Sequence, residues 1–269
     1  MAGRVAGKVA FITGAARGQG RAHAIRLAEE GADIIAIDIC RDYATVDYPL
    51  ATEADLAETV KAVEALDRRI VATVADVRDA AGLTAAVDDG VAQLGRLDIV
   101  SANAGICTIQ TWEEVTPQVW QDTLDTNLTG VWNTMVVSVP HLIAAGGGSI
   151  ICTSSTAGLK GLPYLAPYVA AKHGMVGIAR TMANVLARYS IRVNTVHPTG
   201  VDTPMGTGMG GLEALIGRDP NLGPIYMNAL PVQTVDARDI SNAVLFLASD
   251  EARYVTGLEF TVDAGNTIR

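Results

Sequence analysis

The stretch V-A-F-I-T-G-A-A-R-G-Q-G, residues 9–20, decides the fold. Val9 to Thr13 is a short β-rich run, and Gly14, Gly18 and Gly20 stand where a strand turns into a helix, with Arg17 and Gln19 between them. Glycines at such a junction let the backbone approach a pyrophosphate and aim the helix N-terminus at its charge. The spacing differs from the usual dinucleotide fingerprint, G-x-G-x-x-G, and a tight turn without ligand is the plainer alternative. The helical segment that follows is read from Arg21 to Glu30, with Gly31 ending it.

Working outward, six more β-rich runs alternate with segments of helix length: Ile34 to Ile37, Ile70 to Val74, Ile99 to Ser101, Ser149 to Thr153, Arg192 to Val196 and Glu259 to Val262. Alternation of this kind demands parallel strands joined by right-handed crossovers. The expected fold is therefore α/β: a single-domain, Rossmann-type, doubly wound, seven-stranded parallel sheet with helices on both faces, spanning residues 1–269. Two stretches break the rhythm. One is a polar loop at about 41–52 with two tyrosines and a proline, read as an inserted rim loop. The other, at about 202–231, is rich in Gly and Pro, with a short helical piece near Leu212 to Ile216, and reads as a substrate lid.

Asp38 ends the second strand, eighteen positions after Gly20, close to the spacing of an acid that binds an adenosine ribose. A carboxylate there favours two hydroxyls and repels a 2′-phosphate, which points to NAD. Arg17 and Arg41 would instead hold that phosphate, so NADP stays open at this point.

Tyr168 and Lys172 lie four positions apart in a segment whose Met175, Ile178, Met182 and Val185 recur at helical spacing, so the pair shares one face. A phenol with a pKa of about 10 is a poor base near neutrality unless a cation lowers it. An ammonium about 4 Å away contributes up to about 4 kcal/mol at an effective dielectric of about 20, a shift of about three units. Two exposed helix residues are the plain alternative. Ser155 follows the fifth strand, thirteen residues before Tyr168, where parallel sheets gather ligand-binding groups beyond their strand ends. Its hydroxyl would hold a substrate oxygen. Ser154 is its rival, and either serine would also serve as a helix cap.

Hydrophobic residues make up 49% of the chain and charged residues 18%, a balance that excludes extended disorder and supports a buried interior. The formal charge of −9 argues against nucleic acid and anionic membranes as partners. No apolar run approaches the roughly 20 residues needed to cross a bilayer, and Met1 to Val9 carries no export signal. Cys40, Cys107 and Cys152 show no metal or redox spacing and fit reduced thiols in a cytoplasm. His23, His141, His173 and His197 are scattered without ligand spacing, so no metal is expected and structural roles are assigned to them.

Together, T-G-A-A-R-G-Q-G, A-N-A-G at 102–105, Ser155 and Y-V-A-A-K at 168–172 resemble the short-chain dehydrogenase/reductase family over nearly the whole chain. The resemblance implies that Tyr168 is the general acid/base, that Lys172 lowers its pKa and binds the nicotinamide ribose, and that Ser155 orients the carbonyl or carbinol oxygen. It implies that Asn127, in D-T-N-L, holds a water linking Lys172 to solvent; an asparagine bonding backbone inside a helix is the alternative. It places Asp76 and Val77 at the adenine ring, Asn103, Ala104 and Gly105 along the cofactor, and Val201 and Thr203 at the nicotinamide carboxamide. Asn103 as a brace of the sheet is the alternative there. Thr199 departs from the pattern by replacing a glycine, which leaves the local backbone path open.

A finer similarity, carried by K-V-A-F-I-T-G-A-A-R-G-Q-G, D-I-C and the closing D-I-S-N-A-V-L-F-L-A-S-D-E-A-R-Y-V-T-G, is to the carveol dehydrogenase group of mycofactocin-coupled members. That group implies NAD, alcohol oxidation, and a tightly retained nicotinamide recycled through a mycofactocin-type redox partner. The loop at 41–52 would clamp it. The family also implies a homotetramer. Met205, Met209, Leu212, Leu215, Ile216, Tyr226 and Met227 supply an apolar lid that suits a cyclic or terpenoid secondary alcohol and its ketone, or else a neighbouring subunit. An NADP-dependent ketoreductase and a nucleotide-sensing protein without turnover are the competing readings.

Overall fold

The computed structural model describes residues 3–208 and 211–269; Met209 of the expected lid lies outside the described residues. Seven parallel strands form one sheet in the order β3-β2-β1-β4-β5-β6-β7. They are β1 (Val9–Thr13), β2 (Asp33–Asp38), β3 (Ile70–Val74), β4 (Ile99–Ala102), β5 (Gly148–Thr153), β6 (Ile191–Pro198) and β7 (Glu259–Val262). The helices are α1 (Gly18–Glu29), α2 (Glu53–Glu64), α3 (Ala80–Leu94), α4 (Pro117–Leu124), α5 (Gly130–Ala144), α6 (Ala166–Leu186), α7 (Pro204–Gly208), α8 (Leu212–Arg218) and α9 (Ala237–Ala248).

The central strands are largely apolar because both faces of a parallel sheet are covered. Every residue of β1 is buried. One core layer packs Ile12, Ile34 and Val196 against α1, α2 and α9 through Leu27, Leu56 and Val244. The other packs Phe11, Ile35 and Val193 against α3, α5 and α6 through Leu83, Met135 and Met175. A fully buried leucine or phenylalanine contributes about 2 kcal/mol by leaving water, so the two layers hold the sheet from both sides.

Local chemistry sets the element ends. Thr52 and Asp55 form a reciprocal cap on α2, and Asp236 and Asp239 do the same on α9. Asp79 caps α3, and Gly95 ends it with φ of 93°.

The first helix begins at Gly18, not at Arg21 as the pattern of side chains suggested. The glycine-rich turn itself supplies the opening turn, and its Arg17 N-cap makes no side-chain cap hydrogen bond. The strands agree with the expected ones to within two residues at each end. Strand order reverses between β1 and β4, and such a switch point opens a crevice beyond the carboxyl ends of the strands.

Candidate active site

The crevice at the switch point is a groove of about 870 Å³ including its open mouth. Gly14, Arg17, Gly18, Gln19, Asp38, Asp76, Val77, Asn103, Ala104, Gly105 and Thr203 line it, so these sequence-selected positions do converge. Val201 is buried beside it and bridges Val235. Pairing fixes the floor. The Thr13 hydroxyl accepts the N–H groups of Asn103 and Ala104, each at 3.0 Å, and the Asn103 amide donates to Thr13 O at 3.1 Å. Asn103 is therefore the brace between β1 and the segment after β4.

The turn needs its glycines for two distinct reasons. Gly14 has φ of +67°, and a Cβ there would stand 2.9 Å from Ala104 Cα. A Cβ on Gly20 would stand 2.0 Å from the Gly14 carbonyl oxygen. The free N–H groups of the first turn of α1 face the groove with no acidic residue among them, as an anion requires. Gln19 Oε1 is buried there without a partner. These features fit a dinucleotide.

Asp38 is 8% exposed, and its carboxylate accepts Ala16 N–H at 3.0 Å and Cys40 N–H at 3.3 Å. That ties the end of β2 to the glycine-rich turn and leaves the acid at the groove. Both arginines that would hold a 2′-phosphate are turned to other partners. Arg17 donates to the Pro49 carbonyl, and Arg41 pairs with Asp76 at 3.1 Å. Burial pushes the Asp76 carboxyl up, but Arg78 and Arg41 together hold it below its ordinary value.

Beyond β5, Ser155 caps the short turn Thr156–Gly158 by accepting Ala157 N–H at 3.1 Å. Ser154 is 2% exposed and donates to the Lys172 carbonyl at 3.4 Å. Ser154 is thus committed to packing, and Ser155 is the serine beside the phenol. His197 accompanies it, with Nδ1 2.8 Å from Ser155 O and Nε2 2.7 Å from Thr195 Oγ1. The sequence assigned His197 a structural role, and its tie to the Ser155 backbone is one that nothing in its spacing reveals.

Lys172 lies in α6 one turn after Tyr168, with Nζ 5.3 Å from the centre of the Tyr168 ring. Its ammonium donates to the Thr153 carbonyl at 2.6 Å. The expected lowering of Tyr168 is opposed by its surroundings. Burial pushes the phenol above its ordinary value, with Cys107 adding to the rise and Ser155 opposing it. Burial likewise pushes Lys172 down to about 8. The spacing argument placed the two side chains together but took no account of the cost of removing both charges from water.

Asn127 sits in a π-helical turn, Asp125–Thr129, between α4 and α5. Its Oδ1 accepts Ile106 N–H at 2.8 Å and its Nδ2 donates to Ile106 O at 2.7 Å. The side chain therefore clamps the segment after β4 at a bulge of the kind found at functional sites. Thr199, the departure from the family pattern, donates to Asn228 Oδ1 at 2.7 Å. Asn228 in turn donates to the Val232 and Gln233 carbonyls, so the threonine anchors the base of the lid.

The lid rests on the segment preceding α6. The Tyr164 hydroxyl donates to Leu215 O at 3.3 Å, the Tyr226 hydroxyl donates to Pro163 O, and Lys160 Nζ holds Ile225 O at 2.7 Å. The rim loop adds Tyr43 and Tyr48 to the wall of the groove. Neither was selected from the sequence, because a polar loop carries no periodicity to orient them. Among the described residues no group of three or more His, Cys, Asp or Glu side chains forms a metal-binding cluster. No described helix is long and apolar enough to cross a membrane.

Residues 14–267 match the family described as Enoyl-(Acyl carrier protein) reductase. The chain is 50% identical to the (−)-trans-carveol dehydrogenase of Rhodococcus erythropolis, over 99% of both chains. Among solved structures it resembles a short chain dehydrogenase from Mycobacterium paratuberculosis bound to NAD, with a TM-score of 0.96 and 49% identity. That match covers 99% of this chain and 100% of the other. It also resembles carveol dehydrogenase from Mycobacterium avium in complex with NAD, with a TM-score of 0.92 and 53% identity over 99% of this chain and 100% of that one.

Proposed function

The chain belongs to the short-chain dehydrogenase/reductase family and is an oxidoreductase of NAD-dependent type, and from that premise we propose that it oxidises a secondary alcohol, apolar and cyclic, to its ketone. The observation that carries this reading is the meeting of Ser155, Tyr168 and Lys172 beyond β5 and along α6, beside a groove whose Asp38 closes β2. The two carveol dehydrogenases similar to this chain make a terpenoid alcohol the first substrate to try.

Bound in the groove, NAD supplies the hydride acceptor and a positive nicotinamide ring. Asp38 takes the adenosine ribose hydroxyls, and the glycine-rich turn with the α1 N-terminus takes the pyrophosphate. Ser155 donates to the carbinol oxygen and orients it. Tyr168 removes the hydroxyl proton as the C–H bond yields its electron pair, so one proton and one hydride leave the alcohol. The Lys172 ammonium, held by Thr153 O, stabilises the Tyr168 phenolate that takes this proton, and loss of the proton from the resulting phenol towards solvent restores the base. Asn127 fixes the neighbouring backbone, and Val201 and Thr203 flank the nicotinamide end.

The apolar lid, with Met205 at the groove and Leu215 9% exposed, favours a substrate without charge. One sheet carries both groove and lid, so the whole chain is read as one functional domain. A homotetramer in the cytoplasm, and a mycofactocin-type redox partner that reoxidises a retained NAD, complete the proposal.

The test is direct. Purified protein given NAD or NADP and a panel of cyclic alcohols, with carveol included, is expected to reduce NAD in preference. Higher kcat/KM with NADP, or no turnover of any alcohol, overturns the reading. Mass spectrometry of the undenatured protein reports the subunit count and any nucleotide carried through purification.

A further inference from the structure

Among the described residues, the rim loop meets the lid at Tyr48. Tyr48 points inward, 7% exposed, and lines the groove with Ile106 and Met205. Its hydroxyl oxygen accepts the N–H of Cys107 at 3.2 Å. The preceding residue, Ile106, is the one clamped by Asn127. A Cβ on Gly105 would lie 3.1 Å from Asn127 Oδ1 and 3.8 Å from Lys172 Nζ. The turn that Tyr48 holds is therefore the turn that backs Lys172.

On its other flank the Tyr48 side chain packs against α7. A Cβ on Gly208 would lie 2.5 Å from Tyr48 Cβ and 2.6 Å from Cγ, well inside van der Waals contact. The approach of α7 to the rim loop thus depends on glycine at 208. The loop has its own anchors, Arg17 to Pro49 O and Thr45 to Asp122 at 2.7 Å, while the lid is anchored to the opposite wall at Pro163 and Lys160. Tyr48 is a contact by which the two covers touch. Withdrawing either one exposes an apolar face of the other, so their opening is coupled.

We propose that Tyr48 is a positioning residue of the reacting centre and the interlock between rim loop and lid: it fixes the Gly105 to Cys107 turn against Lys172, and α7 seats only against its side chain. The kinetic half rests on the alcohol oxidation proposed above, while the mechanical half rests on packing alone.

Three variants separate the two halves. Tyr48→Phe keeps the ring that seats α7 but leaves the Cys107 N–H without its acceptor. It is expected to lower kcat about tenfold, the effect of one lost hydrogen bond, with the alcohol KM within about twofold of wild type. Gly208→Ala forces α7 away and is expected to raise the alcohol KM. In protein without nucleotide it is also expected to speed trypsin cleavage after Arg41 several-fold, although the substitution lies in the lid. Gly211→Ala adds its methyl group to open space and is expected to leave that cleavage unchanged.

Equal cleavage at Arg41 in Gly208→Ala and wild type overturns the interlock. A Tyr48→Phe enzyme with wild-type kcat, or with its whole loss in KM, overturns the positioning role. Were wild-type protein inactive on every alcohol, the proposed function would fall, while the cleavage comparison would still decide the interlock.

Discussion

Lowering the pH from 7.5 to 5 should destabilise this protein through one histidine on α1. His23 is wholly buried, with Nδ1 2.8 Å from Ser241 Oγ across the contact between α1 and α9. Ser241 donates its own proton to Ala237 O at 2.9 Å, so His23 Nδ1 must be the donor to Ser241. Nε2 then carries the lone pair, and it is buried without a partner. Protonation would put a charge there with nothing to receive it, and burial accordingly lowers the pKa from 6.5 to about 3.

The sign follows from where the proton binds. The unfolded chain protonates His23 below pH 6.5 and the folded chain does not until about 3, so stability is full above 6.5 and falls through that window. At about 1.4 kcal/mol per pH unit, the loss reaches about 2 kcal/mol by pH 5.

Many carboxylates also titrate on the way down, so the difference from a His23→Leu variant isolates the effect. Urea unfolding of both proteins at pH 7.5 and pH 5, at one protein concentration and without nucleotide, measures it. The stability gap between them should move by about 2 kcal/mol in favour of the variant. A gap that stays constant across the two pH values refutes the account of His23 as a buried neutral side chain.

Tyr168→Phe should lower kcat at least about 100-fold while NADH affinity, read by fluorescence titration, stays near wild type. Lys172→Met should reshape the pH profile of kcat/KM, which reports the free enzyme. With Lys172 at about 8, the wild type should lose phenolate stabilisation as the ammonium deprotonates above that pH, and the variant should show no inflection there. Asp38→Asn removes the charge that opposes a 2′-phosphate but keeps an oxygen for Ala16 N–H, and the ratio of kcat/KM for NAD over NADP should fall about tenfold or more.

The strands were legible because a strand buried on both faces is largely apolar, and V-A-F-I-T and the I-I-A-I within β2 are runs of that kind. The groove residues were legible for a related reason: Gly14 and Gly20 have no substitute where a Cβ would strike the chain, so their offsets carry the turn. The start of α1 was not, because glycine is a weak helix signal and only backbone hydrogen bonding reveals that the turn already belongs to the helix. Tyr43 and Tyr48 were missed, and His197 was given only an unspecified structural role. What places each of them at the site is a partner distant in sequence, Thr126, Cys107 and Ser155 respectively.

By itself, then, the sequence singled out the residues proposed for the chemistry, since a phenol, an ammonium and a hydroxyl at helical and strand-end spacings can be recognised one segment at a time. The order of the sheet, the burial that raises Tyr168 and lowers Lys172, and the pairing of Arg17 with Pro49 O and of Arg41 with Asp76 were decided only by the tertiary structure. The physical reason is that desolvation and pairing depend on what packs around a group from the rest of the chain. That surrounding is a property of the assembled sheet and its covers, which no local spacing specifies.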